Sequence, residues 1–151
     1  MNIRKRFDKG LYEVADKDAK AATLRWLKNS DFITVDTTER KDYDITCKDK
    51  AGKKYLFEVE IKYSWRNEWP ITWKEIRIPH RKNRLINKWQ NQCPDDSFTF
   101  IVFRNDCKRG WQIDAKTLLT CEVKEASNRD VIKGELFFHI PVEQAKMISI
   151  P

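Results

Sequence analysis

Residues 98–103 place the strongest limit on the fold, because they read FTFIVF with no polar alternation. A strand with one face in water alternates apolar and polar side chains, whereas a strand in a sheet covered on both faces reads as a continuous apolar run. This run therefore predicts an interior strand. Such a sheet needs a layer on each face, so we expect an α/β protein, of the α+β mixed-sheet kind, with helices flanking a central sheet.

The remaining elements follow from periodicity and turn residues. Residues 8–29 are good helix formers with an apolar stripe that includes Ala19, Ala22 and Trp26, which predicts a first helix. Strands are expected at 32–35, 43–47 and 54–63, with a hairpin closed near Gly52, and later at 98–103, 111–113 and 135–141. A second helix is expected at 80–89 after Pro79, and a short terminal helix at 142–147. Residues 65–78 read as an ordered excursion without a clean period, and 116–130 carry no interpretable pattern.

The length of 151 residues predicts one domain covering 1–151. The net charge of +7 favours a polyanionic partner such as nucleic acid, although basic proteins that only stay in solution carry similar charge. No apolar stretch is long enough to cross a bilayer, so we expect no membrane partner and a cytoplasmic location.

The cysteines and histidines give no sign of a reactive centre. Four cysteines stand singly at 47, 93, 107 and 121, without the paired spacing of a zinc site. We interpret them as free thiols, with a disulfide or a metal site as the alternatives. His80 and His139 also lie outside any nucleophile or zinc pattern, so they are expected to be structural or exposed.

The segment 54–63 carries the main functional signal. On an extended strand Glu58, Glu60 and Lys62 share one face while the apolar residues between them share the other, although a strand facing solvent gives the same alternation. A hairpin closed near Gly52 would bring Asp44 from the preceding strand beside Glu60. Two such carboxylates repel each other unless a cation lies between them.

A divalent ion suits this arrangement. Mg²⁺ is bound by oxygen ligands, commonly one or two carboxylates with waters and a substrate phosphate, and Asp44 and Glu60 meet that requirement. Lys62 would assist the attacking water and stabilise negative charge on the phosphate. The expected chemistry is hydrolysis of a phosphodiester with Mg²⁺ or Mn²⁺ as cofactor.

At these residues the sequence resembles the PD-(D/E)XK nuclease superfamily. The family core runs helix, three strands, helix, strand, with an Asp on the second strand and Glu-x-Lys on the third. Asp44 and Glu60-Ile61-Lys62 match these motif positions, with Tyr43 in place of the family's Pro before the Asp. The order of elements agrees from about residue 8 to 103. The resemblance implies a restriction-endonuclease-like αβββαβ core and a small stand-alone, divalent-metal-dependent deoxyribonuclease of phage or bacterial type. It implies catalysis by Asp44, Glu60 and Lys62, and metal ligation by Asp44, Glu60, Ile61 and an acidic residue of the first helix.

Two further carboxylates are candidates at that site. Asp18 borders the apolar stripe of the first helix more closely than the earlier acidic residues do, so it is the preferred helix ligand, with a solvated carboxylate as the alternative. Glu58 is either an extra ligand or supporting partner of the metal, or a surface carboxylate paired with Lys54 or Lys124.

A basic and aromatic segment follows the motif. The cations expected to contact nucleic-acid phosphates are Arg81, Lys82, Arg84, Lys88, Arg66 and Lys74, and they are interleaved with Trp65, Trp69 and Trp73. The alternatives are a satellite aromatic core and a solvated charged face. The sequence thus predicts an endonuclease acting on duplex or branched DNA, compatible with a homodimer. A non-catalytic nucleic-acid-binding protein of the same fold is the main alternative, and a general basic interaction protein is a third.

Overall fold

The computed structural model describes residues 9–28, 30, 32–37, 43–126 and 134–151. Its helices are α1 (Lys9–Leu27), α2 (Asn83–Gln92) and α3 (Ala115–Leu119). Its strands are β1 (Phe32–Asp36), β2 (Ile45–Asp49), β3 (Lys54–Lys62), β4 (Glu75–Pro79), β5 (Ser97–Arg104), β6 (Arg109–Asp114), β7 (Glu122–Glu125), β8 (Leu136–Pro141) and β9 (Lys146–Ser149). Single 3₁₀ turns follow β4 at His80–Lys82 and β8 at Val142–Gln144.

The larger of two sheets is mixed and has six strands in the order β1-β2-β3-β5-β6-β9. Strands β3 and β5 are parallel, and the other neighbouring pairs are antiparallel. Strand β5 lies inside this sheet and buries all of its residues except the two at its ends. The interior strand predicted from the apolar run at 98–103 is therefore confirmed, as is the mixed α/β class.

Helix α1 covers one face of the larger sheet. Ala19 and Ala22 are buried on α1, and they belong to the same core as Phe57 and Val59 of β3 and Ile101 of β5. Small alanines let the helix lie close to the sheet, so the bulkier strand side chains fill the space beneath it. The amphipathic first helix expected from the sequence is present.

The opposite face is covered by α2 and by a second, antiparallel sheet in the order β4-β8-β7. The core between these layers is built from buried side chains of both sheets and of α2, among them Leu85, Ile86, Trp89, Ile76, Ile78, Phe100, Phe138 and Ile140. Because β5 has apolar layers on both sides, neither of its faces carries the polar residues that a half-exposed strand would show.

Three expectations for elements need correction. The excursion at 65–78 contains most of β4, which pairs with β8, and the uninterpreted segment 116–130 contains most of α3 and the whole of β7. The terminal helix expected at 142–147 is wrong: a single 3₁₀ turn is followed by β9, which pairs with β6 at the sheet edge. These strands are short, and each depends on a partner distant in sequence, which local patterns do not encode.

The hairpin between β2 and β3 fixes the position of the candidate motif. Gly52 has a φ of +83°, a left-handed conformation that glycine adopts without steric cost. The Asp49 carboxylate accepts hydrogen bonds from the backbone N–H groups of Ala51 and Lys53 at 2.9 and 3.0 Å. This rigid turn sets a register in which Ile45 lies opposite Phe57.

The four cysteines are free, as the sequence predicts. Burial raises the pKa of the Cys47 and Cys107 thiols to about 11, and at Cys107 the negative charge of Asp18 adds to the effect. These two thiols are therefore protonated at neutral pH and poor nucleophiles.

In the described part of the chain, no helix has the length and apolarity needed to span a membrane.

Candidate active site

Strand β3 directs Glu58, Glu60 and Lys62 toward α2 and the second sheet. The alternate residues Phe57 and Val59 pack in the core under α1, so the charged residues take the other face. That face is largely covered, because Glu58 is only 5% exposed and the Lys62 and Glu60 side chains are 25% and 23% exposed. The alternative of a simple solvent-facing strand is therefore wrong, and the charges lie between packed layers.

Glu60 and Lys62 form a fixed pair. The Lys62 Nζ atom lies 3.2 Å from Glu60 Oε1 and donates a second hydrogen bond, of 2.5 Å, to the backbone carbonyl of Arg77 on β4. The other carboxylate oxygen, Glu60 Oε2, is buried and has no hydrogen-bond partner among the described residues. A buried carboxylate oxygen without a donor is costly, so this atom is a position for a cation or for a further hydrogen-bond donor.

Asp44 lies immediately before β2 and faces Glu58 more directly than Glu60. The hairpin register, extended by one residue past the pair Ile45 and Phe57, puts Asp44 opposite Glu58. Its Oδ2 atom accepts a 2.8 Å hydrogen bond from the Val59 N–H. The expectation that Asp44 lies directly beside Glu60 is thus corrected. The register set by the turn residues places Asp44 opposite Glu58, which is two residues before Glu60 on β3.

Glu58 is the carboxylate whose protonation is most altered. Burial raises its pKa to about 8, a hydrogen bond shared with Asp44 acts in the same direction, and the charge of Lys82 opposes both. The Lys82 Nζ atom lies 3.2 Å from Glu58 Oε2. The alternative that Glu58 is a surface carboxylate paired with Lys54 or Lys124 is wrong, since its ion-pair partner is Lys82.

Lys82 enters the site and is not a surface contact. The 3₁₀ turn that follows β4 brings this side chain over β3. Burial on its own lowers the pKa of this ammonium group, but attraction to Glu58, Glu60 and Asp44 outweighs it, and the net shift is upward. We call the group formed by Asp44, Glu58, Glu60, Lys62 and Lys82 the carboxylate cluster. Sequence reasoning missed this role, because a turn between two elements gives no local sign of which strand it will cover.

Two residues expected as metal ligands lie apart from the cluster. Asp18 is exposed on α1, and its charge acts on Cys107 in the core beneath that helix. The Ile61 side chain packs in the same core, so only its backbone carbonyl is a potential ligand. Because both side chains lie on the α1 face of the sheet, the expectation that Asp18 completes the metal site is not met.

The oxygens present nevertheless fit a hard divalent cation. Within the described ranges, no group of three His, Cys, Asp or Glu side chains is arranged to hold a metal ion. Mg²⁺ commonly takes only one or two protein carboxylates, with waters and substrate phosphate filling the other positions. The donor-free Oε2 of Glu60, with Asp44 acting on the same Lys82 ammonium group, meets that smaller requirement.

The expected basic surface is only partly free for a ligand. Arg66 and Lys74 are exposed on the excursion before β4, while Arg81 forms a 2.9 Å ion pair with Glu135 on the second sheet. On α2, Arg84 is exposed and Lys88 is half-buried. Of the six cations named from the sequence, Lys82 alone belongs to the carboxylate cluster.

The tryptophans divide between core and surface. Trp65 is fully buried and packs 6.2 Å from Trp111, so it is a core residue, but it belongs to the main core between the layers and not to a satellite core. Trp69 and Trp73 are half-buried and meet edge to face at 5.3 Å between ring centroids. The Trp111 indole N–H is buried without a described acceptor. Trp69 and Trp73 therefore keep part of their surface accessible beside the carboxylate cluster.

No protein-family model matches the chain, and a search of curated proteins finds no match.

Proposed function

We propose that the protein is a divalent-metal-dependent DNA endonuclease with a restriction-endonuclease-like core. The observation that carries the proposal is the buried, donor-free Oε2 of Glu60, held next to the Lys62 ammonium on one strand face. A protein that used these charges only for packing would gain stability by pairing both oxygens of that carboxylate. An unpaired oxygen beside a lysine suits a cation and an anionic substrate that arrive together.

The order of elements supports the same proposal. Helix α1, the meander β1-β2-β3, helix α2 and strand β5, which is parallel to β3, follow the αβββαβ order of the PD-(D/E)XK superfamily that the sequence resembles. In this interpretation β4 and the second sheet are additions to the core. They supply the Arg77 carbonyl that holds Lys62.

In the proposed reaction the carboxylates of Asp44 and Glu60 would hold Mg²⁺ or Mn²⁺. When bound, such an ion polarises the phosphoryl oxygen and makes a water molecule more acidic. Lys62, fixed by Glu60 and by the Arg77 carbonyl, directs its ammonium protons at negative charge that develops on the phosphate. Glu58, whose pKa is raised to about 8, adds little to the repulsion between Asp44 and Glu60, and the Lys82 Nζ atom lies 3.2 Å from its Oε2.

The test is cleavage of plasmid, blunt duplex, overhang and branched DNA by the full chain with Mg²⁺, Mn²⁺ or EDTA. We expect metal-dependent cleavage, and a loss of roughly 100-fold or more in Glu60→Gln and in Lys62→Ala. The matched controls are Glu68→Gln, an exposed glutamate of the neighbouring loop, and Lys50→Ala in the hairpin turn. Calorimetric titration with Mn²⁺ should also show weaker uptake by Glu60→Gln than by Glu68→Gln, independent of activity.

A non-catalytic nucleic-acid-binding protein of the same fold is the second candidate. The contact between Lys82 and Glu58 favours it, because an ammonium group already neutralises part of the cluster without metal. That function predicts DNA binding that is indifferent to Mg²⁺ and no cleavage of any of the four substrates. Cleavage by Glu60→Gln at the wild-type rate would refute the nuclease assignment.

A further inference from the structure

A cavity of about 450 Å³ opens beside the carboxylate cluster. Its lining includes Lys62, Trp69, Trp73, Lys74, Glu75 and Arg77. Lys62 belongs to both places, since its ammonium contacts Glu60 at 3.2 Å. A ligand in this cavity would therefore touch the same lysine that the proposed reaction uses.

The aromatic wall of the cavity is held in place before any ligand binds. The Trp69 indole N–H donates a 2.6 Å hydrogen bond to the Trp73 backbone carbonyl, and the two rings pack edge to face. Trp69 also packs edge to face against the fully buried Trp65, with 5.2 Å between the ring centroids. Fixed rings lose little entropy when a planar group stacks on them, so the wall favours a flat, aromatic ligand.

An exposed apolar side chain lies in the turn between the two tryptophans of this wall. Ile71 is 95% exposed, and the turn that carries it is closed by a 2.9 Å hydrogen bond from the Trp73 N–H to the Pro70 carbonyl. Among the described residues it is by far the most exposed of the large apolar side chains. Apolar side chains in such positions are used by DNA-binding proteins as wedges between base steps.

The charged residues that line the cavity favour an anionic ligand. Three cations, Lys62, Lys74 and Arg77, line it together with a single carboxylate, Glu75. Glu75 is already paired with Arg77 at 3.1 Å and with the His139 ring at 2.7 Å, so its charge is largely balanced. Lys74 is exposed and available to a phosphate. Lys62 and Arg77 already contact Glu60 and Glu75, so an aromatic wall beside the exposed Lys74 ammonium is what matches a nucleotide better than an apolar metabolite.

We infer that this cavity receives an unpaired nucleotide of DNA, with its base against Trp73 and Ile71 separating it from the adjoining duplex. The substrate class would then be DNA with a junction between single and double strands, such as an overhang, flap or branch. For cleavage the inference rests on the proposed function, but the binding step stands without it.

The test measures binding of the full wild-type chain in EDTA, so that no cleavage intervenes. The probes are a blunt DNA duplex and the same duplex with a single-stranded overhang containing 2-aminopurine, whose fluorescence falls on stacking. We expect the overhang to bind about tenfold more tightly than the blunt duplex, with quenched fluorescence, because stacking of one base on an aromatic side chain has an effect of this order. Trp73→Leu should reduce that preference below about threefold, while Trp73→Phe should retain most of it.

Ile71→Ser gives an independent readout without a risk to folding, because the side chain has almost no packing to lose. It should lower the overhang preference, whereas Leu119→Ser, a change at an exposed leucine of α3, should not. Lys74→Glu should weaken binding to the overhang more than the matched charge change Lys50→Glu does.

The outcomes separate this inference from the proposed nuclease. Equal affinity for the two probes, or an unchanged preference in both Trp73→Leu and Ile71→Ser, would overturn the nucleotide site even if the protein cuts DNA. A clear preference that both variants lose, in a protein that cuts nothing, would support the site and leave the nuclease refuted.

Discussion

Glu58 connects the electrostatics of the candidate site to the stability of the fold. Among the described residues it is the one acidic residue whose side chain is buried. Its neighbours are the carboxylate of Asp44 and the ammonium group of Lys82. A buried ion pair does not fully recover the hydration that its charges lose. Burial and Asp44 outweigh Lys82, so Glu58 holds a proton at neutral pH in the metal-free protein, with a pKa raised to about 8.

This upward pKa shift predicts a particular pH dependence. Glu58 binds its proton more tightly in the folded chain than in the unfolded one, where its pKa is near 4.5. The wild type should therefore lose free energy of unfolding as pH rises from about 5 to 8, because folding must retain a proton that the unfolded chain releases. Glu58→Gln should flatten this part of the profile.

The measurement is urea unfolding in EDTA at several pH values across that window. Glu68→Gln serves as the control, since Glu68 is 85% exposed and its loss should leave the wild-type slope in place. Parallel profiles for wild type and Glu58→Gln would contradict the assignment of the proton to Glu58.

At the level of elements, the pair β5 and β6 depends on a close approach at Gly110. A Cβ atom at this position would lie 3.0 Å from Cδ1 of Phe103 and 3.1 Å from the carbonyl oxygen of Val102. Phe103 is fully buried, so its ring has little room to move away. The glycine therefore permits the packing of the strand that the apolar run at 98–103 builds.

Gly110→Ala should lower the free energy of unfolding by about 1–3 kcal/mol through overpacking. Gly52 provides the contrast, because a Cβ atom there meets nothing within 4 Å and only its φ of +83° is demanding. Asn adopts that conformation more readily than most residues, so Gly52→Asn should be mildly destabilising while Gly110→Asn should be severely destabilising. Equal effects of the two Asn substitutions, measured by chemical denaturation, would refute the packing explanation.

At the scale of the whole molecule, the net charge of +7 can attract a polyanion only where its cations are exposed and not paired with carboxylates. Cations such as Arg81 and Lys82 pair with carboxylates of this chain, whereas Arg66 and Lys74 are exposed on the segment between β3 and β4, and Lys74 lines the cavity. Exposed lysines and arginines that contact phosphates release counterions from DNA, so they determine the salt dependence of binding.

Replacing Arg66 and Lys74 together by Ala should lower the slope of log affinity against log salt by about 1.8, at roughly 0.9 for each lost phosphate contact with duplex DNA. The double replacement of Lys50 and Lys116, two lysines exposed elsewhere, should leave the slope nearly unchanged. Binding titrations at several salt concentrations measure both slopes. An identical slope in the Arg66 and Lys74 variant would refute phosphate contacts by these two residues.

The sequence determined the features that local spacing encodes. The apolar run at 98–103 required a sheet with both faces covered, alternation on β3 put Glu58, Glu60 and Lys62 on one face, and the residues around Gly52 indicated the hairpin. Periodicity follows directly from backbone geometry, so these parts needed no knowledge of distant residues.

Only the tertiary structure decided which partners meet across the layers. The second sheet, the edge strand β9 and the cavity beside Lys62 all depend on segments far apart in the chain. The same holds for Lys82, which the sequence suggested as a surface contact and the fold places against Glu58. Long-range contacts leave no periodic trace, because each is fixed by the packing of whole layers, and for that reason the charges of the site could be named from the sequence but not their pairing.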